Sequence, residues 1–331
     1  MDYAPQVGCS LKTPGCSVKT KFLIAAGLLW FSLSAVAARA ATYYVTIAGL
    51  GGEADYEQRF EGLASDLDKL LKDSGGDLRV YTLSGKEASL AHINETFATI
   101  AKEAKPEDDL VVILIGHGSF DGSDYKFNIP GPDISGSELA ALCDKIPAKR
   151  QLIVNTTSAS GGSVAELKKP NRGVITATKS GTEKNATVFA RYWVEALRDP
   201  EADVDKNESI TALEAFQYAD RKTAEFYTTQ KRLATEHPQF EDTGKADAVR
   251  TPSSETNEGL FLSTFTLVRI GEAQRQAADP AKRDLLAKKE ALEQQIDKLK
   301  YEKAAMDSDD YKRQLTQALL QLAEVQQELD K

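Results

Sequence analysis

The sequence predicts an α/β fold with a mostly parallel six-stranded sheet and helices on both faces. From residue 42 onward, short apolar segments alternate with amphipathic segments, which is the order of strands and helices in a parallel sheet. The run "DLVVILIG", residues 109–116, is apolar over nearly its whole length, as expected for a strand that is covered on both faces. After Gly271 the composition changes to residues typical of long helices.

Each element follows from a local pattern. Strands are predicted in six segments: 42–49, 78–85, 109–116, 152–157, 173–178 and, as the last strand, "GLFLSTFTLVRI" at 259–270. Helices are predicted where apolar residues recur at helical spacing, over 55–73, 90–100 and 139–146. A hairpin is expected around "YKFNIPG", residues 125–131. One helix separates the third and fourth strands, so a right-handed crossover makes them neighbours.

The first 40 residues have the pattern of a secretory signal. Lys19 and Lys21 precede the apolar stretch "FLIAAGLLWFSLSAVAA", and "ARA" at residues 38–40 has the small residues that signal peptidases accept. Cleavage after Ala40 predicts a secreted or periplasmic protein. The alternative is an uncleaved membrane anchor, because the apolar residues 22–38 approach the roughly 20 residues that span a bilayer. Residues 1–20 are unusually polar for a signal peptide, which suggests a start site assigned too early.

Charge and cysteine content exclude some functions. Removal of residues 1–40 takes away a net three positive charges and changes the formal charge from −9 to −12, which disfavours nucleic acid as a partner. It also removes Cys9 and Cys16, so Cys143 becomes the only thiol and no intramolecular disulfide can form. The sequence contains no nucleotide, flavin or zinc motif, and no organic cofactor is expected.

Residues 272–331 are predicted to form a helical hairpin with coiled-coil character, following a main domain over residues 41–271. Two series of apolar residues have heptad spacing: Leu285, Leu292, Ile296, Leu299 and Met306, then Tyr311, Leu315, Ala318, Leu322, Val325 and Leu329. "MDSDD" separates them, and Ser308 or Asp309 is expected to cap the second helix. Two interpretations stay open: the helices pack on the main domain, or they associate with another copy.

Residues suited to chemistry follow two central strands. His117 and Gly118 come directly after the third strand, and "TTSASGG" ends the fourth. Ligands of parallel sheets bind beyond the carboxyl ends of the strands, so the His117 imidazole and the Ser158 hydroxyl are expected on one rim. The backbone N–H groups of Gly118 and Ser158 could stabilise an oxyanion there. His92 is expected to be structural, and His237 has no assignable partner in the sequence.

Four segments resemble the legumain-type (C13) cysteine peptidases of the caspase-like clan: "IAGLGGEADYEQRF", "IGHGSFDG", "LIVNTTSASGG" and "VITATKSGTEKNAT". The resemblance extends over roughly residues 42–230 and excludes the helical tail. It implies a caspase-like fold with His117 in place of the catalytic histidine and Ser158 in place of the catalytic cysteine. It also implies that the N–H groups of Gly118 and Ser158 form the oxyanion hole. The substrate-binding residues that it implies are Arg59, Glu57, Thr178 and Ser180.

The sequence departs from this family at the nucleophile. A cysteine thiolate is populated near neutral pH, whereas a serine hydroxyl needs a base held against it, and the histidine of the family resembles an acid for the leaving amine. Cys143 does not replace the nucleophile, because its position on an apolar helix face predicts burial. Glu57 stands where a basic specificity residue would be expected, with Arg59 close enough to reach the site, so a preference for asparagine does not carry over.

Two functions therefore compete. In the first, the secreted domain binds a peptide or protein partner in the groove at His117 and Ser158 without peptidase activity. In the second, Ser158 attacks a peptide carbonyl and His117 transfers the proton, as in an active hydrolase of this family. A third interpretation is a structural envelope protein built around the helical tail.

The segment "DVDKNESITALE", residues 203–214, has the spacing of a calcium-binding loop. Oxygen-bearing side chains occupy its alternate positions and its last position, namely Asp203, Asp205, Asn207, Ser209, Thr211 and Glu214. Predicted helices flank the segment, and a structural Ca²⁺ of roughly millimolar affinity is expected. Glu208 stands where glycine normally permits the turn. The alternative is an acidic loop that only caps the second helix.

Overall fold

The computed structural model describes residues 40–245 and 247–331, and the predicted signal region with Cys9 and Cys16 lies outside these ranges. The strands are β1 Thr42–Ala48, β2 Leu78–Leu83, β3 Asp109–Ile115, β4 Gly118–Phe120, β5 Tyr125–Phe127, β6 Ile134–Ser135, β7 Arg150–Asn155, β8 Arg172–Thr176, β9 Ser209–Thr211, β10 Gln239–Glu241 and β11 Thr266–Arg269. Six of them form the central sheet in the order β10-β8-β7-β3-β1-β2. Only β10 is antiparallel to its neighbour, so the predicted six-stranded, mostly parallel sheet is confirmed.

Helices cover both faces of this sheet. The described residues contain ten α-helices: α1 Ala54–Asp73, α2 Leu90–Glu103, α3 Gly136–Asp144, α4 Val164–Leu167, α5 Phe189–Ala196, α6 Ala212–Thr229, α7 Leu260–Ser263, α8 Gly271–Ala278, α9 Arg283–Glu302 and α10 Ser308–Leu329. Helices α1, α5 and α6 pack on one face, and α2 and α3 pack on the other. No helix among the described residues has both the length and the apolar character of a membrane span.

Strand β3 shows why the sheet needs two covering layers. Val111 and Ile113 belong to the core under α1, α5 and α6, whereas Val112 and Leu114 belong to the core under α2 and α3. Side chains alternate between the faces of a strand, so an uninterrupted apolar run is buried on both sides. The interpretation of residues 109–116 as a doubly covered strand is therefore confirmed.

The predicted last strand over residues 259–270 is wrong in part. The chain forms helix α7 at the start of this segment, and only Thr266–Arg269 is a strand, which pairs with β9 outside the central sheet. Gly259 adopts a φ of +92°, and its N–H and that of Leu262 donate to the buried carboxylate of Asp242, which fixes the helical turn. The sixth strand of the sheet is Gln239–Glu241, an edge strand with a single apolar residue.

The C-terminal region is helical, and its helix α9 packs on the main domain. Lys282 Nζ donates to the Leu329 carbonyl at 2.6 Å, so α9 and α10 run antiparallel with Leu286 and Val325 among the residues buried between them. On its other side, α9 is tied to β11 by the ion pair of Arg269 with Glu290. Of the two interpretations, packing on the domain is observed for α9.

The start of α10 differs from the prediction by one or two residues. The helix is capped by Asp307, whose carboxylate accepts the backbone N–H groups of Asp309 and Asp310 at 2.9 and 3.2 Å. Ser308 and Asp309 already belong to the first turn. An aspartate is as favourable an N-cap as a serine, so the sequence alone does not decide which residue from Asp307 to Asp309 is the cap.

Candidate functional site

Strands β3 and β7 lie side by side and end at the same edge of the sheet. Their register is parallel, with Leu114 opposite Asn155, and the Thr156 N–H donates to the Leu114 carbonyl at 3.0 Å. The segments that follow, with His117 and Ser158, therefore leave the sheet together. We call this edge, with the loops that follow β1, β3, β7 and β8, the rim. The expectation that these two strands are neighbours is confirmed.

Ser158 is bound to the backbone of Gly118. Its Oγ accepts the Gly118 N–H at 3.1 Å and donates to the Gly118 carbonyl at 3.0 Å, and the residue is only 2% exposed. The Gly118 N–H that sequence reasoning assigned to an oxyanion is thus already paired with the hydroxyl. In this geometry, the hydroxyl links the segment that follows β7 to the segment that follows β3.

Close packing beneath the rim supports this bridge. A Cβ atom at Gly118 would lie 2.6 Å from the Ser158 carbonyl oxygen, from Thr157 Oγ1 and from Tyr125 Cε2. The buried Tyr125 hydroxyl bonds Thr157 Oγ1 at 2.6 Å and Asn155 Oδ1 at 3.2 Å. Sequence reasoning did not identify this network. Asn155, a buried amide at the end of an apolar strand, was the signal for it, because such a group needs polar partners.

His117 lies against helix α1 rather than against the hydroxyl. Its ring contacts Tyr56 and Phe60 edge-on, with centroid distances of 4.8 and 5.1 Å. Burial, and then the nearby Arg59 guanidinium, lower the pKa of His117, while a hydrogen bond with the Gly51 backbone acts in the opposite direction. The hydrogen bonds of Ser158 Oγ within the described residues go to Gly118. Because its pKa is lowered, the His117 imidazole is neutral at neutral pH. Its position is fixed by the contacts with Tyr56 and Phe60.

Arg59 borders a small cavity at the rim. This cavity, of about 200 Å³, is lined by Phe60, Gly116, Thr156 and the start of α5, including Arg191. Arg59 stacks on the Tyr56 ring at 4.6 Å. Two guanidinium groups without a carboxylate partner among the described residues give the cavity a positive potential.

The other predicted substrate-binding residues stabilise the loops of the rim. Glu57 Oε2 accepts the Gly51 N–H at 2.8 Å and so fixes the loop after β1. Thr178 is buried, and its hydroxyl accepts the Gly161 N–H at 2.9 Å. Ser180 bonds the Thr182 hydroxyl at 2.7 Å on the surface. Of these four residues, Arg59 is the one that borders the cavity.

A second histidine at the rim has a partner that the sequence did not show. His237 Nδ1 bonds the Glu183 carboxylate at 2.5 Å, and the Glu183 carbonyl accepts the Ala159 N–H at 2.7 Å. Ala159, next to Ser158, has a left-handed φ of +55°, which is unfavourable for a residue with a Cβ. His237 therefore has a partner that could not be assigned from the sequence, because 54 residues separate it from Glu183.

The remaining histidine and the thiol do not contribute to the rim. His92 Nδ1 bonds the Ser89 hydroxyl at the start of α2, a structural contact as expected. Cys143 is fully buried on α3, and burial raises the pKa of its thiol to about 12. The predicted burial of this residue is confirmed, and its thiol is unreactive in this position.

The predicted calcium-binding loop brings three of its carboxylates together. Oxygen atoms of Asp203, Asp205 and Glu214 all lie within 4.8 Å of one another. Glu208 has a φ of +66°, so it adopts the left-handed conformation that glycine supplies in such loops. The lack of a glycine at position 208 therefore does not prevent the backbone turn that such a loop requires. The same loop is flanked by α5 and α6, as predicted.

The other predicted ligands have structural contacts in this state. Asn207 Oδ1 accepts the Ser209 N–H at 2.8 Å, and Ser209 begins β9. Thr211 and Glu214 form a capping box at the start of α6. Burial raises the pKa of Asp205 and of Glu214, and the neighbouring carboxylates add to the effect. A divalent cation would relieve this repulsion, and oxygen donors suit Ca²⁺.

Volume alone does not locate the site. Two larger cavities lie where the tail helices meet the domain. One, of about 800 Å³, is bordered by Phe261 and by Ala291 of α9, and the other, of about 610 Å³, by Asp73 and by Gln274 of α8. Both are gaps between packed elements. They lie away from the carboxyl ends of the strands, where ligands of parallel sheets bind.

Comparisons with known proteins do not assign a family. No protein-family model matches the chain, and no curated protein matches it. Among solved structures, the chain is similar to the crystal structure of protein GSU0716 from Geobacter sulfurreducens, at 12% sequence identity and a TM-score of 0.40. That alignment covers 66% of this chain and 97% of the Geobacter protein.

Proposed function

We propose that this protein is a secreted, caspase-like domain of the legumain type that binds a peptide or protein segment at its rim without cleaving it. The observation that supports this proposal is the double hydrogen bond between Ser158 Oγ and the backbone of Gly118. Ser158 is at the nucleophile position, and its hydroxyl occupies the Gly118 N–H that an oxyanion would need.

Two physical requirements of acyl transfer are unmet in this arrangement. A serine nucleophile needs a base in hydrogen-bond contact, but the imidazole of His117 is held by Tyr56, Phe60 and the Gly51 backbone. An oxyanion hole needs free N–H donors, and the Gly118 N–H is occupied. Loss of both contributions leaves binding as the function that the rim can perform.

The charge of the small cavity indicates the kind of ligand. Arg59 and Arg191 border it in a chain whose formal charge is −9, so a local positive site stands against an acidic background. Carboxylate side chains are the natural partners of guanidinium groups. We therefore infer that the bound segment contains aspartate or glutamate, whose carboxylate lies beside Arg59 and Arg191.

A combined labelling and binding experiment tests this function. The purified chain is incubated with a serine-directed fluorophosphonate probe and with a peptide library. We expect no covalent labelling and no cleavage, but retention of acidic peptides. Arg59→Ala should weaken their binding about twofold to fivefold at low salt, as expected for an ion pair of an exposed arginine. Arg221→Ala, an exposed arginine on α6, is the matched control and should bind normally.

The active hydrolase is the competing outcome of the same experiment. Labelling of the native chain that disappears in Ser158→Ala would establish Ser158 as a nucleophile and overturn the binding proposal. Ser158→Cys provides a further comparison, because a thiolate needs less activation than a hydroxyl. Peptidase activity in that variant would show that the imidazole can reach the nucleophile position.

We also propose that the loop over residues 203–214 binds a structural Ca²⁺ ion through Asp203, Asp205 and Glu214. At a Ca²⁺ concentration about tenfold above the dissociation constant, binding should stabilise the fold by about 1.4 kcal/mol. For a domain of this size, that corresponds to a rise in melting temperature of roughly 2–3 °C. Thermal unfolding with about 10 mM CaCl₂ against EDTA measures this rise, given a roughly millimolar affinity.

The variants make the calcium proposal specific. Asp205→Asn should abolish the Ca²⁺-dependent part of the stability, while Asp66→Asn, an exposed position on α1, should leave it intact. An unchanged melting temperature in Ca²⁺, or an equal rise in Asp205→Asn, would contradict the proposal.

A further inference from the structure

A cleft separate from the rim lies between the main domain and helix α9. It is the cavity of about 800 Å³ that Phe261 borders, a volume in the ordinary range for small-molecule sites. We call it the α9 cleft, and on its helical side it is bordered by Ala291, Gln294, Gln295 and Lys298. This spacing places the four residues on one face of the helix over about 10 Å. The neighbouring Leu292 and Ile296 are buried, so the polar face lies outside the core.

Four side-chain amides border the α9 cleft, those of Asn171, Asn257, Gln294 and Gln295. Within the described part of the chain, these amide groups have no protein hydrogen-bond partner. Asn171 and Asn257 have φ angles of +62° and +63°, and the left-handed turn accounts for an asparagine there. No such requirement accounts for two adjacent glutamines within α9. An amide supplies one acceptor and two donors, so both glutamines keep this capacity for a ligand.

Phe261 adds a fixed apolar surface to the same cleft. Its ring is half-buried and packs against Phe265 with a centroid distance of 5.6 Å. On strand β8, a Cβ atom at Gly173 would lie 3.0 Å from Phe261 Cε1, so the ring rests directly on the central sheet. A side chain held in this way loses little conformational freedom when a ligand binds.

The fixed charges of the α9 cleft nearly cancel. The charged residues that border it in the described chain are Lys245, Lys298 and Asp242. Lys298 is paired with Glu302 at 3.7 Å, and the Asp242 carboxylate is bound to the N–H groups of the turn at Gly259. Phosphate and carboxylate ligands are bound by charge-assisted hydrogen bonds from cations. The near balance of charge therefore favours an uncharged ligand.

We propose that the α9 cleft binds a neutral oligosaccharide, with hydroxyl groups bonded by Gln294 and Gln295 and a sugar ring packed on Phe261. Each sugar hydroxyl both donates and accepts a hydrogen bond, which matches the donors and the acceptor of an amide. The C–H groups on one side of a sugar ring suit the negative face of a phenyl ring. A peptide would instead use an open strand edge or an apolar groove, whereas helix and loop side chains border this cleft.

Saturation-transfer NMR of the full chain tests this site. The probes are neutral trisaccharides of glucose, galactose, mannose and N-acetylglucosamine, with a trisaccharide of uronic acid for comparison. We expect saturation of at least one neutral trisaccharide, and the signal should persist in about 0.5 M NaCl because the contacts are uncharged. Titration calorimetry with that trisaccharide then gives the Kd.

Substitution of the two glutamines locates the binding. Gln294→Ala with Gln295→Ala should raise the Kd about tenfold, because each net hydrogen bond corresponds to about twofold to tenfold in affinity. Alanine is favourable within a helix, so α9 should be retained, which circular dichroism checks. Gln314→Ala with Gln317→Ala, exposed on α10, is the matched control and should bind like the native chain.

Phe261→Leu tests the packing of the sugar ring. Leucine keeps an apolar contact with the sheet but offers no aromatic face, so the Kd should rise about threefold to tenfold. If this variant does not fold, the glutamine substitutions decide. Absence of saturation for every neutral trisaccharide at millimolar concentration would overturn the proposal. A Kd that the glutamine substitutions leave unchanged would do so as well, as would binding of the uronic acid trisaccharide alone.

Discussion

Glu236→Gln is expected to make the protein more stable at about pH 8 and to remove much of its dependence on pH between about 5.5 and 8. The Glu236 carboxylate accepts the N–H groups of Val188 and Phe189 at 2.7 and 3.2 Å and the Tyr227 hydroxyl at 2.9 Å. Burial raises the pKa of Glu236 to about 7, although these hydrogen bonds oppose the shift. Glu183, which is paired with His237, adds to the rise.

The direction of the effect follows from proton binding. The folded state holds a proton on Glu236 between the ordinary pKa of a glutamate and about pH 7, whereas the unfolded state does not. This contribution to stability is fully present below the ordinary pKa and is lost as the pH rises through about 7. Burial also raises the pKa of Asp242 to about 6 and that of Glu293 to about 7, so all three groups act in the same direction.

Denaturant unfolding of the native chain and of Glu236→Gln at about pH 5.5 and about pH 8 measures this effect. A pKa unit corresponds to about 1.4 kcal/mol, so the native chain should lose about 2 kcal/mol through Glu236 between pH 5.5 and pH 8. The amide oxygen of glutamine can still accept the Val188 N–H and the Tyr227 hydroxyl, the longer bond from the Phe189 N–H is given up, and the side chain bears no charge. Glu225→Gln, on the exposed side of α6, should retain the native pH profile. A native chain that gains stability toward pH 8 would contradict the assignment.

The main sheet could be predicted because its signals are local. The doubly covered strand β3, the helix periodicity of α1 and the crossover rule fix most of the order. The sixth strand could not be predicted, because Phe240 is its only apolar residue and its place depends on pairing with β8. In the same way, α7 exists because Gly259 and Leu262 bind the distant Asp242, a contact that no local pattern encodes.

The candidate site shows the same division. Placement of His117 and Ser158 on one edge follows from the ends of neighbouring strands, and the sequence predicts it. The directions of the two side chains depend on Tyr56, Phe60 and the backbone of Gly118, which sequence spacing does not specify. The pairing of His237 with Glu183 was missed for the same reason.

Gly118→Ala is expected to destabilise the fold by about 3 kcal/mol or more, the upper range for overpacking. Its new Cβ would lie 2.6 Å from a carbonyl oxygen of the neighbouring loop, and that backbone is held by Tyr125, Thr157 and Ser158. The effect is measured as a shift in the denaturant midpoint. Gly62→Ala is the matched control, since nothing outside the local backbone of α1 lies within 4 Å of its Cβ position, and it should stabilise the chain by about 0.5–1 kcal/mol.

This pair of variants separates two explanations of the glycine after His117. If Gly118 serves only to offer an N–H to an oxyanion, alanine keeps that N–H and the stability should be unchanged. If close packing requires the glycine, stability falls whether or not the site is catalytic. Because the Gly118 N–H already binds Ser158 Oγ, we expect the second result. A histidine followed by glycine at the end of a central strand is then explained by the approach of two loops, and it does not by itself indicate catalysis.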